Sequence, residues 1–394
     1  MTLYEPRWDV ARAALADAVA ALPAVRLDLA ECDGLVATQD LVARTALPAF
    51  DTSAMDGWAV RGPGPWTVVG ASLAGRPVPD PLVDGQAVVI ATGGVVPPTA
   101  QAVIRSEDAT RTRAGGSEVV VAPQPVGPAH IRPSGEECAS GDVLAPAGTV
   151  LNPALLGLAA ACGHDTLVVI RRPRAALVLF GDELATHGVP GPGMVRDSLG
   201  PQVPAWLARM GVEVVAIERC EDTLAAHVDA IAWAAQSADL VLTTGGTAAG
   251  PVDHLHAAIA ANSGTVLVDS VAVRPGHPML AGTVGPAPAW LVGLPGNPQS
   301  AIVTLVSLAA PIVAGLAGRT VLPDLVEVSS AQSVPAPATE DRLVLGTLVA
   351  GWFQPGEHLG SGMLRGLAAA TGFGVLPPGG VAAGEPVRWL PLPT

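Results

Sequence analysis

The chain has 394 residues and a hydrophobic fraction of 49%, enough for several separate cores at about 150 residues per domain. A formal net charge of -14 argues against nucleic acid as a partner and against attraction to an anionic membrane surface. Four scattered cysteines (Cys32, Cys138, Cys162 and Cys220) form no CxxC pair, which fits reduced thiols in a cytoplasm rather than a disulfide framework or a zinc site.

All 21 basic residues are arginine, so a missing lysine at one position says little about lost function. Met1 to Asp9 carries charge where a signal peptide would carry an apolar core. No apolar run is read as having both the length and the flanks of a membrane span. Arg7 to Leu22 predicts an amphipathic helix, with Val10, Ala14, Leu15, Ala18 and Leu22 inward and Pro23 ending it. A second short segment, Leu27 to Ala43, leads into the loop Leu47 to Asp51. From Phe50 to about Cys138 the pattern is β, with short runs at Trp66 to Val69, Ala87 to Ala91, Ala102 to Arg105 and Glu118 to Ala122. Asn152 to Cys162 predicts a helix stopped by Gly163.

From about Arg172 strands and helices alternate. Strands are expected at Ala175 to Leu179, Val212 to Ile217, Ala238 to Thr244, Val266 to Val268 and Trp290 to Leu294. Helices are expected at Val203 to Met210, with Pro204 near its start, at Leu224 to Ala235, and at Ser300 to Leu316. This order implies a three-layer α/β domain with a mainly parallel sheet. The tail from Pro323 returns to β, with runs at Leu325 to Val328, Leu343 to Val349, Gly374 to Leu376 and Val387 to Leu390, and one helical piece near Met363 to Ala370.

Four loops of the α/β section follow apolar runs: Asp182-Glu183, Thr243 to Asp253, Arg274 to Pro278 and Pro295 to Pro298. In parallel sheets such loops gather on one edge, where ligands bind. They offer carboxylates, glycine amides, one Arg, one His and one Asn, a set suited to a Mg²⁺-assisted phosphate or oxyanion site. The plain alternative is that Asp182 and Asp253 cap helices and the glycines serve only as turns.

Seven motifs in chain order sharpen this. Phe50-Asp51-Thr52-Ser53-Ala54-Met55-Asp56-Gly57-Trp58-Ala59-Val60 opens the series. Ala91-Thr92-Gly93, Ile131-Arg132 with Gly135-Glu136, Gly181-Asp182-Glu183-Leu184 and Thr244-Gly245-Gly246 follow. Gly293-Leu294-Pro295-Gly296-Asn297-Pro298 and Gly360-Ser361-Gly362-Met363-Leu364 complete it. Together the sequence resembles the MoeA/gephyrin family of molybdopterin molybdenumtransferases over nearly its whole length. The resemblance implies a helical N-terminal part (1–48 and 139–170), an inserted β domain (49–138), an α/β molybdopterin-binding domain (171–320) and a small C-terminal β-barrel (321–394). It implies a homodimer, with Ser361 reaching the partner's site. It implies molybdenum cofactor biosynthesis: molybdate is inserted into adenylylated molybdopterin, with Mg²⁺, and AMP is released. Asp56, Glu183 and Asp253 are carried over as catalytic, and Glu183 and Asp253 as metal ligands. Ser53, Thr92, Gly93, Thr244, Gly245, Gly246, Arg274, His277, Asn297 and Ser361 are carried over as binding residues.

Some positions depart from the family pattern. Phe180 stands for a usual Thr, Leu199 and Thr371 for Asn, and Arg274 and His277 for two lysines. Thr247-Ala248-Ala249-Gly250-Pro251-Val252-Asp253 lacks a hydroxyl and one carboxylate but keeps Asp253. Two readings therefore stand: a working transferase with a drifted site, or an altered paralogue of the same fold acting as a pterin-binding or scaffold protein. A nucleotide-handling enzyme on the same α/β part is a third, against which the Ser53 to Gly57 loop and the β tail argue.

Overall fold

The structure is a computed structural model that describes every residue except 74, 77–79, 246, 248–253, 320–324 and 394. The chain divides into two compact units, one of Met1–Val25 with Ile170–Thr394 and one of Arg26–Val169.

The first unit is built on a seven-stranded sheet. Its spatial order is Leu3–Tyr4, Thr265–Asp269, Leu280–Val284, Ala289–Leu294, Leu240–Thr244, Arg174–Phe180 and Glu213–Cys220. Six strands share one direction and only Leu280–Val284 opposes both neighbours. The mainly parallel sheet is as expected, but Leu280–Val284 was not foreseen. Its run of Leu-Ala-Gly-Thr-Val is weakly β-forming, and it is a strand because both flanks are paired. Leu177 and Leu179 face one side with helices Leu199–Arg209 and Pro298–Leu316; Ala176 and Val178 face the other with Leu224–Ala235 and Leu255–Ala261. Those two cores are the outer contacts of a three-layer sandwich.

Several element limits differ from expectation. The first helix is Trp8–Ala18, and Val19 is already extended, so the chain leaves the helix well before Pro23. Its buried face is Trp8, Ala11, Arg12 and Leu15, while Val10 is half-exposed. Arg12 is inside because it has a partner. In the facing helix Pro298–Leu316 the turn Leu305–Ala309 is π-helical, so Ala310 N–H donates to Leu305 O. The next bond of that spacing would need an N–H from Pro311, which has none. The carbonyl of Val306 is left over, and Arg12 Nη1 donates to it at 2.7 Å. Trp8 Nε1 donates to Ser307 Oγ at 2.8 Å, and the Arg12 guanidinium lies 4.5 Å from the Trp8 ring centre. Burial pulls the Arg12 pKa down to about 10.

Helix Leu199–Arg209 begins earlier than expected and carries Pro204 in its interior. Helix Pro298–Leu316 has 19 residues and, against expectation, is long and apolar enough to cross a membrane; 83% of its apolar window is buried inside the protein, as a core helix should be. The tail closes a barrel of Asp341–Val349, Trp352–Pro355, Val326–Ser330, Pro386–Pro391 and Gly372–Leu376, whose last strand pairs back to the first. Val273–Arg274 adds to Asp341–Val349 at its edge.

The second unit holds a six-stranded sheet in the order Ala102–Arg105, Gly57–Arg61, Gln86–Ile90, Trp66–Ser72, Ser117–Val121 and Thr110–Ala114. Trp58, Val60, Trp66, Ala87, Ile104 and Val120 form its core on one face. Helix Pro153–Ala161 is capped by Asn152, whose side chain accepts from Leu155 N at 2.9 Å, and Gly163 ends it with φ +91.

Candidate functional site

In the first unit the chain leaves strand Arg174–Phe180 for the edge strand Glu213–Cys220, then returns to Leu240–Thr244 on the other side of its starting strand. That reversal opens a crevice beyond the carboxyl ends of the strands. A cleft of about 560 Å³ lies there, lined among others by Glu183, Arg196, Thr244, Gly245, Asn297 and Gly362.

Each wall has a local cause. Gly181 has φ +142, and a Cβ there would meet Glu183 Oε2 at 2.8 Å, so the glycine lets that carboxylate fold back over the strand end. Leu184–Ala185 pairs with Val195–Arg196, which sets Arg196 opposite Ala185 on one small ribbon that also carries Glu183 to the cleft wall. Arg196 Nη1 donates to Ala185 O at 3.0 Å. The next residue, Asp197, starts helix Leu199–Arg209: its Oδ1 accepts from Gly200 N at 2.7 Å and its Oδ2 from Arg219 Nη2 at 2.9 Å. Asn297 precedes Pro298, the first residue of the long helix, and makes no side-chain cap bond of its own. Two helix N-termini, with Arg196, therefore present positive potential to one cleft, an arrangement that favours phosphate or another oxyanion.

The structure brings Glu183, Thr244, Gly245 and Asn297 together on this cleft. Ser361 sits beside it in the same chain, where its carbonyl accepts from Gln299 N at 2.9 Å. This bond ties the Ser361 segment to the N-terminus of the long helix of its own chain. Arg274 and His277 are not among the lining residues. Arg274 has its backbone paired with the barrel and its Nε on Glu340 Oε2 at 2.8 Å, and His277 Nε2 lies 3.3 Å from Glu5 Oε1. Asp182 Oδ1 accepts from Asp222 N at 3.4 Å, a contact between two loops. Gly246 and Asp253 lie outside the described residues.

In the second unit the other four expected residues form one loop cluster. Ser53 is buried; its Oγ donates to Met55 O at 2.6 Å and its carbonyl accepts from Gly93 N at 2.8 Å. Asp56 Oδ1 accepts from Thr92 N at 2.6 Å and from Thr92 Oγ1 at 3.0 Å. The backbone N–H, then the hydroxyl, of Thr92 hold the Asp56 carboxyl below its ordinary value. The sign is the usual one for a carboxylate: this stabilisation is present above the ordinary Asp range and is lost as pH falls through the depressed value.

Arg196 and Asp197 were not picked out from the sequence as site residues. The available signal was Asp-Ser directly before an amphipathic run, a helix-start pattern whose first turn faces the strand ends.

An inserted β unit, a switch-point α/β unit with an anion-favouring cleft, and a closed β-barrel define a multidomain small-molecule binding protein. Three family models match in chain order: the MoeA N-terminal region (domain I and II) at residues 7–163, the "Probable molybdopterin binding domain" at 176–315, and the MoeA C-terminal region (domain IV) at 327–392. A molybdopterin molybdenumtransferase from Haemophilus influenzae is 33% identical over 299 residues, 74% of this chain and 73% of its own. One from Nostoc sp. is 31% identical over 390 residues, 93% of this chain and 88% of its own. A solved molybdopterin biosynthesis MoeA protein from Pyrococcus horikosii shares the fold, with TM-score 0.80 at 23% identity over 98% of this chain and 99% of that one. The chain belongs to the MoeA family.

Proposed function

We propose that the chain is a molybdopterin molybdenumtransferase acting in molybdenum cofactor biosynthesis: it binds adenylylated molybdopterin, inserts molybdate and releases AMP. The observation that carries this is the switch-point cleft, which Glu183 and Arg196 both line together with the starts of two helices. In this reading the phosphoanhydride lies across the strand ends. The N-terminal ends of the two helices favour its negative charge. Arg196 pairs with a phosphate, and its fork geometry fixes the orientation of the bond to be cleaved.

The donor set fits Mg²⁺. That ion prefers one or two carboxylates with the remaining positions filled by substrate phosphate and water, and Glu183 supplies one carboxylate at the cleft wall. Asp253, outside the described residues, is the proposed second. When bound, the ion offsets negative charge on the phosphate oxygens. Glu183 would then anchor it at the cleft wall. Asp56 is read as a catalytic carboxylate that stays ionised, since Thr92 favours its charged form; it suits orienting water or substrate, not donating a proton. We further read the working form as a cytoplasmic homodimer.

The test is turnover of adenylylated molybdopterin with molybdate and Mg²⁺, read as AMP release. Glu183→Gln is expected to lower the rate on the order of 10²-fold, with an unchanged melting temperature because the side chain is exposed. No AMP release by the natural chain would favour the scaffold reading. Full activity of the variant would remove Glu183 from the chemistry.

A further inference from the structure

A second polar pocket lies wholly within the Arg26–Val169 unit. Its volume is about 110 Å³, and its lining includes Arg26, Asp40, Arg44, His164 and Thr166. That is room for a few water molecules at ~30 Å³ each, so a small polyatomic ion fits and a nucleotide does not.

The lining has an excess of positive donors in a chain whose net charge is -14. Arg26 Nη1 donates to Thr166 Oγ1 at 3.3 Å, and Arg44 Nη1 donates to Gly163 O at 3.4 Å. Both bonds are long and neutral, and among the described residues neither guanidinium has a carboxylate at ion-pair distance. Asp40, the one acid in the lining, accepts from a loop distant in sequence: its Oδ1 takes the Ala147 N–H at 2.7 Å. His164 Nε2 lies 2.8 Å from the carbonyl of Val42. A carbonyl only accepts, so Nε2 carries the hydrogen and Nδ1 remains as the second polar atom of the ring. Thr166 Oγ1 accepts from Arg26, which leaves its own hydrogen to be donated.

We propose that this pocket binds a small tetrahedral oxyanion, inorganic phosphate or molybdate, between Arg26 and Arg44. Guanidinium forks match such ions in geometry and charge, and the Thr166 hydroxyl adds a further donor, with the His164 ring in the lining as a nearby reporter. Asp40 lowers the affinity but does not cancel the two guanidinium charges of the lining. The site is separate from the Glu183 cleft and does not depend on turnover.

The experiment uses the full chain at low ionic strength, where an exposed site is least screened. Phosphate and molybdate are titrated separately, and the imidazole carbon signal of His164 is followed by NMR, assigned with His164→Gln. A saturable shift is expected, with at least tenfold weaker binding in Arg26→Gln and in Arg44→Gln and partial recovery in Arg44→Lys. Saturation by one ion alone names the source; saturation by both supports the shared chemistry. A shift that stays linear in ion concentration means an adventitious ion only and overturns the proposal. So does a double Arg26→Gln, Arg44→Gln variant that titrates like the natural chain.

Discussion

Asp197 couples the stability of the first unit to the shape of its cleft, and its removal can be worked through in numbers. The side chain is 3% exposed and spends both oxygens: Oδ1 on Gly200 N at 2.7 Å and Oδ2 on Arg219 at 2.9 Å. Asp197→Ala removes a helix-start acceptor, worth about 1–2 kcal/mol. Arg219 is 45% exposed and can turn to water, so the lost pair adds ~0–1 kcal/mol. The sum is about 2 kcal/mol, or roughly 4–8 °C in melting temperature for a unit of this size. Asp197→Asn keeps the Oδ1 acceptor and should lose roughly half as much or less. Arg219→Ala should cost under about 1 kcal/mol. Calorimetry gives the melting shifts, and AMP release should fall with Asp197→Ala because Ser198 and Leu199 line the cleft. Equal losses for Asp197→Ala and Asp197→Asn would refute the capping argument. So would a loss from Arg219→Ala as large as that from Asp197→Ala.

Two further outcomes are expected. Gly57→Ala should destabilise the second unit by about 1–3 kcal/mol, because the new Cβ runs into the carbonyl of Ile104 on the paired strand; denaturant unfolding followed through the neighbouring buried Trp58 would show it, and an unchanged midpoint would deny the clash. Asp341 is 1% exposed, and its Oδ2 has no partner among the described residues; burial, only partly countered by Arg7, raises its pKa. An acid raised on folding gives stability that is complete below the ordinary Asp value and is lost as pH rises through the raised one. Asp341→Asn should therefore match or exceed the natural chain at neutral pH and lose its advantage in acid, whereas a less stable variant at pH 7 would mean that the Arg7 pair dominates.

The α/β part was legible because its strands are continuous apolar runs and its loops are punctuated by Gly and Pro. Leu240 to Leu242 and the Gly245 turn stand where the pattern put them. Leu280–Val284 was hidden by its small residues, and the face of the first helix was misjudged because Arg12 looks like a solvent residue until its carbonyl partner nearly 300 positions away is known. The site divided in the same way. Glu183, Thr244, Gly245 and Asn297 could be placed together from strand ends alone. Arg274 and His277 could not, since the carboxylates that hold them, Glu340 and Glu5, come from distant segments.

The bond from Arg12 to the Val306 carbonyl also bears on how the chain matures during synthesis. The ribosome makes the Arg12 segment first and the helix that needs it only after residue 298. Between them comes the whole Arg26–Val169 unit, which has cores of its own. The insert can therefore reach its final state on the growing chain, while the first 25 residues wait for the π turn to emerge. Leu3–Tyr4 waits too, for Thr265–Asp269. Translation order and assembly order run in opposite senses for the first unit, and a chain stopped before Val306 would carry a finished β insert on an unclosed α/β core.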